Sequence, residues 1–185
     1  MKYLLSLLLI LSLASTVFAT DYRGECTIVF NGDSTLHGFQ GKAKCEPFSV
    51  SKSDGILDVS KISVAVAGMD TDNKKRDKQM REMFEEKKYP MITGSAGSFS
   101  LNEIRAAQKG SDGAAKVSFK LKIRDIEKPV TATLTKLVES DSRISADLSF
   151  ALSLAGYQLK PPSVLGVIRV DDKILVKATV VLSAK

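Results

Sequence analysis

The stretch that decides the fold class is RISADLSFALSL, residues 143–154. Every second residue in it is apolar, and most of the residues between them are polar. Because successive side chains of a β-strand point to opposite faces of the sheet, this alternation predicts a strand with one buried face. The predicted buried face carries Ile144, Ala146, Leu148, Phe150, Leu152 and Leu154.

The same alternation occurs in KVSFKLKI (116–123) and KILVKATVVL (173–182). Weaker strand patterns cover residues 25–30, 36–45, 55–59, 61–69, 91–99 and 130–138, and turn signals such as Asn31-Gly32 and Lys128-Pro129 lie between them. Eight or nine strands without interleaved helices favour an antiparallel barrel or sandwich over a parallel α/β fold.

The chain begins with MKYLLSLLLILSLASTVFA, residues 1–19. A positive charge at Lys2, an apolar run and small residues ending at Ala19 are the features of a secretory signal peptide. The apolar run is shorter than the roughly 20 residues that a membrane-spanning helix needs. We therefore expect cleavage after Ala19, a single domain over residues 20–185, and a periplasmic or secreted location.

Two cysteines, Cys26 and Cys45, follow in the expected mature chain. An oxidising exported compartment favours a disulfide between them, with a free thiol or pairing between chains as the alternatives. A two-residue hairpin turn at Asn31-Gly32 would place Cys26 opposite His37. Either the turn lies further along the chain, or the disulfide is not a simple cross-strand bridge.

A helix is predicted within MDTDNKKRDKQMREMFEEKKYP, residues 69–90. Asp72 or Asn73 can cap its start, and Pro90 forbids its continuation. Met80, Met83 and Phe84 are spaced i, i+3, i+4 and so form one apolar patch. The patch either closes an apolar pocket or plugs a filled core. A second segment, SLNEIRAAQKG (100–110), fits a short capped helix and a hairpin arm equally well.

The charges of the first helical segment do not favour nucleic-acid binding. Residues 71–89 contain seven Lys or Arg and five Asp or Glu, and the whole chain has a formal net charge of +6. Opposite charges spaced i, i+4, such as Asp77 and Arg81, are typical of an exposed helix face. Single-strand binders also need interleaved aromatic residues, which this segment lacks. We expect no nucleic-acid partner.

Few residues of the chain are suited to catalysis. The chain has one histidine, His37, which we expect to be a hydrogen-bonded residue at a strand bend. Nucleophilic catalysis needs a partner base, and the usual metal-ligand spacings do not occur. We therefore expect no enzymatic activity, no metal and no cofactor.

Three motifs resemble signatures of the YceI-like family of exported lipid- and polyisoprenoid-binding proteins. The first is the helical segment, and the others are LKIRDIEKPVTATL (121–134) and STLHGFQGKA (34–43), which includes Gly41. The matching positions of the first motif are Asp70-Thr71, Asn73, Arg76-Asp77, Met83-Phe84 and Tyr89-Pro90. The chain departs from the family at Gly94, where a Phe is frequent, and at Asp125, where a Gly is frequent.

The resemblance implies an all-β fold, an extended eight-stranded antiparallel lipocalin-like β-barrel with one short helix between strands. It implies a carrier whose partner is an apolar lipid-like small molecule, such as a polyisoprenoid, a quinone or a fatty acid or amide, held in the barrel interior. The alternative is a non-catalytic stress-response or interaction module with a filled barrel and a basic surface that meets an anionic membrane or a protein. A homodimer is left open.

Candidate ligand-binding residues follow from the faces of the predicted strands. The inward-facing candidates are Phe119, Leu121, Leu134, Phe150, Leu152, Ile174 and Val176, with Met80, Met83 and Phe84 at the mouth. For Arg76 and Asp77 two roles are considered: a pair that fixes the start of the helix to the barrel, or contact with an anion.

Overall fold

The computed structural model describes residues 19–161 and 169–185. The predicted signal peptide, apart from Ala19, lies outside the described residues and stays a prediction. Within the described ranges no helix is both long enough and apolar enough to cross a membrane.

The described residues form eleven β-strands and two α-helices. The strands are β1 (Thr20–Ser34), β2 (Phe39–Lys44), β3 (Phe48–Ser53), β4 (Ile56–Val59), β5 (Ile62–Ala65), β6 (Met91–Ser95), β7 (Gly97–Ser100), β8 (Ala115–Ile123), β9 (Ile126–Glu139), β10 (Arg143–Ser153) and β11 (Val170–Ala184). The helices are α1 (Lys74–Met83) and α2 (Leu101–Lys109), and short 3-10 helices cover Val66–Gly68 and Ala155–Tyr157.

Eight of these strands form a ring. Antiparallel pairing runs in the order β5-β6-β8-β9-β10-β11-β1, and β2 pairs with β1. The ring closes where β2 meets β5 and the residues after it: Lys42 and Asp70 exchange backbone hydrogen bonds of 2.7 and 2.9 Å, and Cys45 bridges to Val64. The predicted all-β antiparallel barrel is thereby confirmed.

Three further strands extend the sheet beyond the ring. The first half of β1 pairs with β3, which continues to β4 and β7. The described residues therefore form eleven strands, where the sequence patterns predict eight or nine. β3 was missed because Phe48–Ser53 contains only two buried apolar residues, which is too few for a clear alternation. The predicted strand over residues 91–99 is two strands, since Gly97 at φ +71° redirects the chain towards β4.

A second helix is present besides the one that the resemblance implies. The segment 100–110, whose sequence fits a helix and a hairpin arm equally well, contains α2. The Ser100 hydroxyl accepts a hydrogen bond of 3.2 Å from the Glu103 amide. This cap satisfies one of the free amides at the helix start. Leu101 and Ile104 are the buried residues of this helix. Burial of these two side chains against the sheet decides between the two alternatives.

The disulfide predicted between Cys26 and Cys45 is present. β1 continues through Asn31-Gly32 to Ser34, so the turn lies further along the chain than a hairpin at Asn31-Gly32 would require. The register of β1 and β2 pairs Thr27 with Lys44, and Cys26 therefore stands opposite Cys45, with their Cα atoms 5.3 Å apart. The disulfide is a simple cross-strand bridge that joins β2 to β1.

Reduction of the disulfide should lower the free energy of unfolding by about 2–4 kcal/mol, because the bridge restricts a loop of intermediate length in the unfolded chain. Urea unfolding with and without reductant measures the change. In a Cys26→Ala, Cys45→Ala double variant the reductant should have no effect. Equal unfolding midpoints for the oxidised and reduced wild-type protein would contradict the stabilising role.

Candidate functional site

An apolar cavity of about 330 Å³ lies inside the ring, on the side that α1 covers. Its volume is near the lower end of the range of about 300–1,000 Å³ found for ligand pockets. The apolar lining residues are Ile28, Phe30, Phe39, Ala43, Val64, Met69, Met80, Met83, Phe84, Ile92, Leu121, Ile123, Phe150, Leu152, Leu154, Pro161, Val170, Ile174 and Val176. The polar lining residues are Ser34, His37, Arg76 and Gln79.

The helix α1 forms one wall of this cavity. Asn73 caps it by accepting a 3.0 Å hydrogen bond from the Arg76 amide. Met80 and Phe84 are buried and Met83 is half-buried, and all three pack against the core around the cavity. The i, i+3, i+4 spacing thus turns the apolar patch inwards, whereas most of the charged residues of the helix face solvent, with Asp77 as the buried exception.

Thr71 fixes the start of α1 to the barrel. The Arg76 guanidinium donates from Nε to Thr71 Oγ1 at 2.9 Å and from Nη2 to Thr71 O at 2.7 Å. The buried Asp77 carboxylate accepts from the Thr71 amide at 2.9 Å and from its hydroxyl at 2.5 Å. The Arg76-Asp77 pair thereby anchors the helix, which is the first of the two roles considered for it.

Two glycines make room for the side chains of the cavity wall. A Cβ atom on Gly41 would lie 2.1 Å from Cζ of Phe30, and one on Gly32 would lie 2.6 Å from Cδ1 of Ile174. Both distances are far below van der Waals contact. The Phe30 ring therefore lies across β2 only because residue 41 has no side chain.

One end of the cavity is built from loops. Ser34 donates from its hydroxyl to the His37 carbonyl at 2.7 Å, which holds the turn between β1 and β2. The segment after β10 is tied to β11 by Asp172, which accepts from the Ala155 amide at 2.6 Å and from the Ser153 hydroxyl at 2.7 Å. These two hydrogen bonds, the backbone one first, hold the pKa of Asp172 below its ordinary value.

Tyr157 supports the wall from this segment. Its side chain is 3% exposed, and its hydroxyl donates to the Leu121 carbonyl at 3.3 Å. Burial raises its pKa, because the charged phenolate would be poorly solvated there. Tyr157 is therefore a neutral structural residue that supports the wall without lining the cavity.

The structure brings most of the sequence-predicted residues together. Eight of the ten candidates line the cavity: Met80, Met83, Phe84, Leu121, Phe150, Leu152, Ile174 and Val176. Phe119 lies beside them, with its ring edge-on to Phe150 at a centroid distance of 5.5 Å. That any of these residues binds a ligand stays a prediction.

Leu134 does not lie at the cavity. It packs in a separate cluster beneath α2, with Ile104, Ala115, Val117 and Ala132. The alternation of β9 correctly placed its side chain inside the barrel. A face does not give the depth along the barrel axis, however, because that depth depends on the register between strands.

Several lining residues were not predicted. Ile28 and Phe30 lie on β1, where the apolar alternation over residues 25–30 could have identified them. The polar residues His37 and Gln79 come from a turn and from the helix, and no sequence pattern marked them as cavity residues. Within the described ranges, no group of three or more His, Cys, Asp or Glu side chains could hold a metal ion.

Comparisons with known families agree with this geometry. Residues 14–182 match the profile of the YceI-like domain. A comparison with curated protein sequences found no match.

Solved structures with a similar fold share little sequence with the chain. A polyisoprenoid-binding domain from Saccharophagus degradans, implicated in plant cell wall breakdown, has a TM-score of 0.64 at 14% identity, over 91% of this chain and 100% of that one. Burkholderia cenocepacia BcnA has a TM-score of 0.60 at 14% identity, over 84% and 95%. A Campylobacter jejuni YCEI protein has a TM-score of 0.50 at 15% identity, over 72% and 74%. At these identities the likeness establishes the fold.

Gly41→Ala should lower the free energy of unfolding by about 1–3 kcal/mol, because the added methyl group forces Phe30 from its position. Gly94→Ala is the matched control. Its Cβ would meet only Phe119, at an ordinary 3.8 Å, so that it should cost far less or even stabilise the strand. Urea unfolding of both variants provides the test. Equal effects at the two positions would refute the requirement for glycine at residue 41.

Proposed function

The chain belongs to the YceI-like family, and on this basis we propose that it is an exported carrier of a long apolar ligand held in the barrel interior. The ligand classes are a polyisoprenoid, a quinone and a fatty acid or amide. The observation that carries the proposal is the apolar cavity of about 330 Å³ beneath α1.

The lining of the cavity supports an aliphatic or isoprenoid chain as ligand. Nineteen of its 23 lining residues are apolar, and four are polar. Burial of apolar surface is favourable by about 25 cal/mol per Å², so a chain that fills such walls gains affinity from every carbon it buries. Met80 and Met83 add flexible side chains that can adapt to ligands of different shape.

One of the fold neighbours is described with the same ligand class. The protein from Saccharophagus degradans is described as polyisoprenoid-binding, and its fold covers nearly all of this chain. We extend that ligand class to this protein as part of the proposal. An open cavity agrees better with a carrier than with the alternative of a filled barrel that serves only as an interaction module.

Export and membrane contact complete the proposal. Residues 1–19 have the pattern of a signal peptide. A carrier must take up its ligand from a membrane or release it there, and Leu36 is 65% exposed beside His37, which lines the cavity. An exposed apolar side chain at this position can enter the interface of an anionic membrane, to which the basic chain is attracted. The carrier role involves no catalysis.

Met83→Asp should weaken the binding of cis-parinaric acid, a fluorescent fatty acid, by at least about tenfold, because a carboxylate then lies in the apolar wall. Far-UV circular dichroism should keep the strand signal of the wild-type protein. Met83→Leu, which preserves size and polarity, is the control and should bind as the wild type does. Unchanged affinity in Met83→Asp would remove this cavity as the binding site.

A further inference from the structure

The polar residues of the cavity are grouped. Arg76 and Gln79 are spaced i, i+3 on α1 and so project from the same side of the helix. Ser34 and His37 belong to the turn between β1 and β2, and Phe39, the first residue of β2, lies under Arg76 with its ring centroid 5.1 Å from the guanidinium carbon. All four polar residues line the one cavity.

Arg76 is held in a fixed position with hydrogen-bonding capacity left over. Two of its three guanidinium nitrogens, Nε and Nη2, donate to Thr71. The third, Nη1, has no partner in residues 19–161 or 169–185. A guanidinium fixed at two nitrogens is preorganised, so that little entropy is lost when the third binds a ligand.

Gln79 and His37 add further unused polar groups. Neither side chain makes a hydrogen bond within the described part of the chain, although both line the cavity. Arg76 and Gln79 are half-buried, and His37 is exposed. The group therefore lies at the boundary between the apolar interior and water.

The charge of this group is positive. Asp77, the nearest acidic residue along α1, is buried and already accepts two hydrogen bonds from Thr71. Its negative charge lies near the guanidinium because both residues bind Thr71, but it accepts no hydrogen bond from Nη1 of Arg76. Planar or tetrahedral oxyanions match the donors of an arginine better than any neutral group does.

We propose that Arg76, Gln79 and His37 form a head-group site for an amphiphile whose apolar chain lies in the cavity and whose head is a carboxylate or a phosphate. The site rests on the proposed carrier function and defines the class of ligand more narrowly. Arg76 supplies the charge, Gln79 and His37 supply further polar contacts, and the head stays at the water boundary while the chain is buried.

Pairs of ligands with the same chain and different heads test the site. Dodecanoate with 1-dodecanol isolates a carboxylate, and farnesyl phosphate with farnesol isolates a phosphate. The wild-type protein should bind at least one anion about tenfold more tightly than its alcohol, which corresponds to one charge-assisted hydrogen bond. The pair that shows the preference identifies the head group. Isothermal titration calorimetry gives the affinities.

Arg76→Gln should abolish the preference for the anion over its alcohol. Because Arg76 also anchors α1, this variant can lose stability. Gln79→Leu and His37→Leu provide independent variants, since neither side chain makes a hydrogen bond with residues 19–161 or 169–185. Each should reduce the preference for the anion. Met83→Asp is the contrasting control and should weaken the alcohols as well.

The outcomes separate this site from the carrier function. Equal affinity of the wild-type protein for anion and alcohol would overturn the head-group site while the carrier function stands. The same conclusion would follow if Gln79→Leu, His37→Leu and a folded Arg76→Gln all kept the preference for the anion. Failure of the wild-type protein to bind any of the four ligands would instead count against the carrier function itself.

Discussion

The structure depends on the pairing of one long strand, β1, with its neighbours. Along one edge β1 pairs with β11 from Tyr22 to Ser34. Along the other edge its second half pairs with β2, and its first half pairs with β3. The strand therefore belongs both to the ring that encloses the cavity and to the extension of the sheet formed by β3, β4 and β7. The Cys26–Cys45 disulfide lies where these two sets of pairings meet.

The cavity follows from this strand arrangement and from two glycines, Gly32 and Gly41, that make room for neighbouring side chains. A ring of eight strands leaves an interior that side chains can just fill or that can hold one small ligand. Here large side chains such as Phe30 lie flat over Gly41. Another part of the wall is supplied by α1, whose position depends on the hydrogen bonds that join Thr71 to Arg76 and Asp77. This part of the cavity wall thus depends on one helix that is fixed by its first turn.

The sequence predicts the fold better than it predicts the site. Alternation in residues 143–154 and two similar stretches is sufficient for an antiparallel barrel, since a period of two is the physical requirement for a strand with one buried face. It also places eight of ten candidates at the cavity. It misplaces Leu134, because alternation gives the face and not the register. It does not reveal His37 or Gln79 as lining residues, because their positions depend on how a turn and a helix meet in three dimensions.

The central claim is that the barrel interior binds an apolar molecule with a polar head. Native mass spectrometry of the protein, isolated without detergent from the cells that produce it and examined before and after solvent extraction, tests this claim most directly. The account predicts an added mass that belongs to one amphiphile and disappears on extraction. A protein that carries only its own mass in every preparation, and that gains none when incubated with fatty acids or isoprenoids, would contradict it.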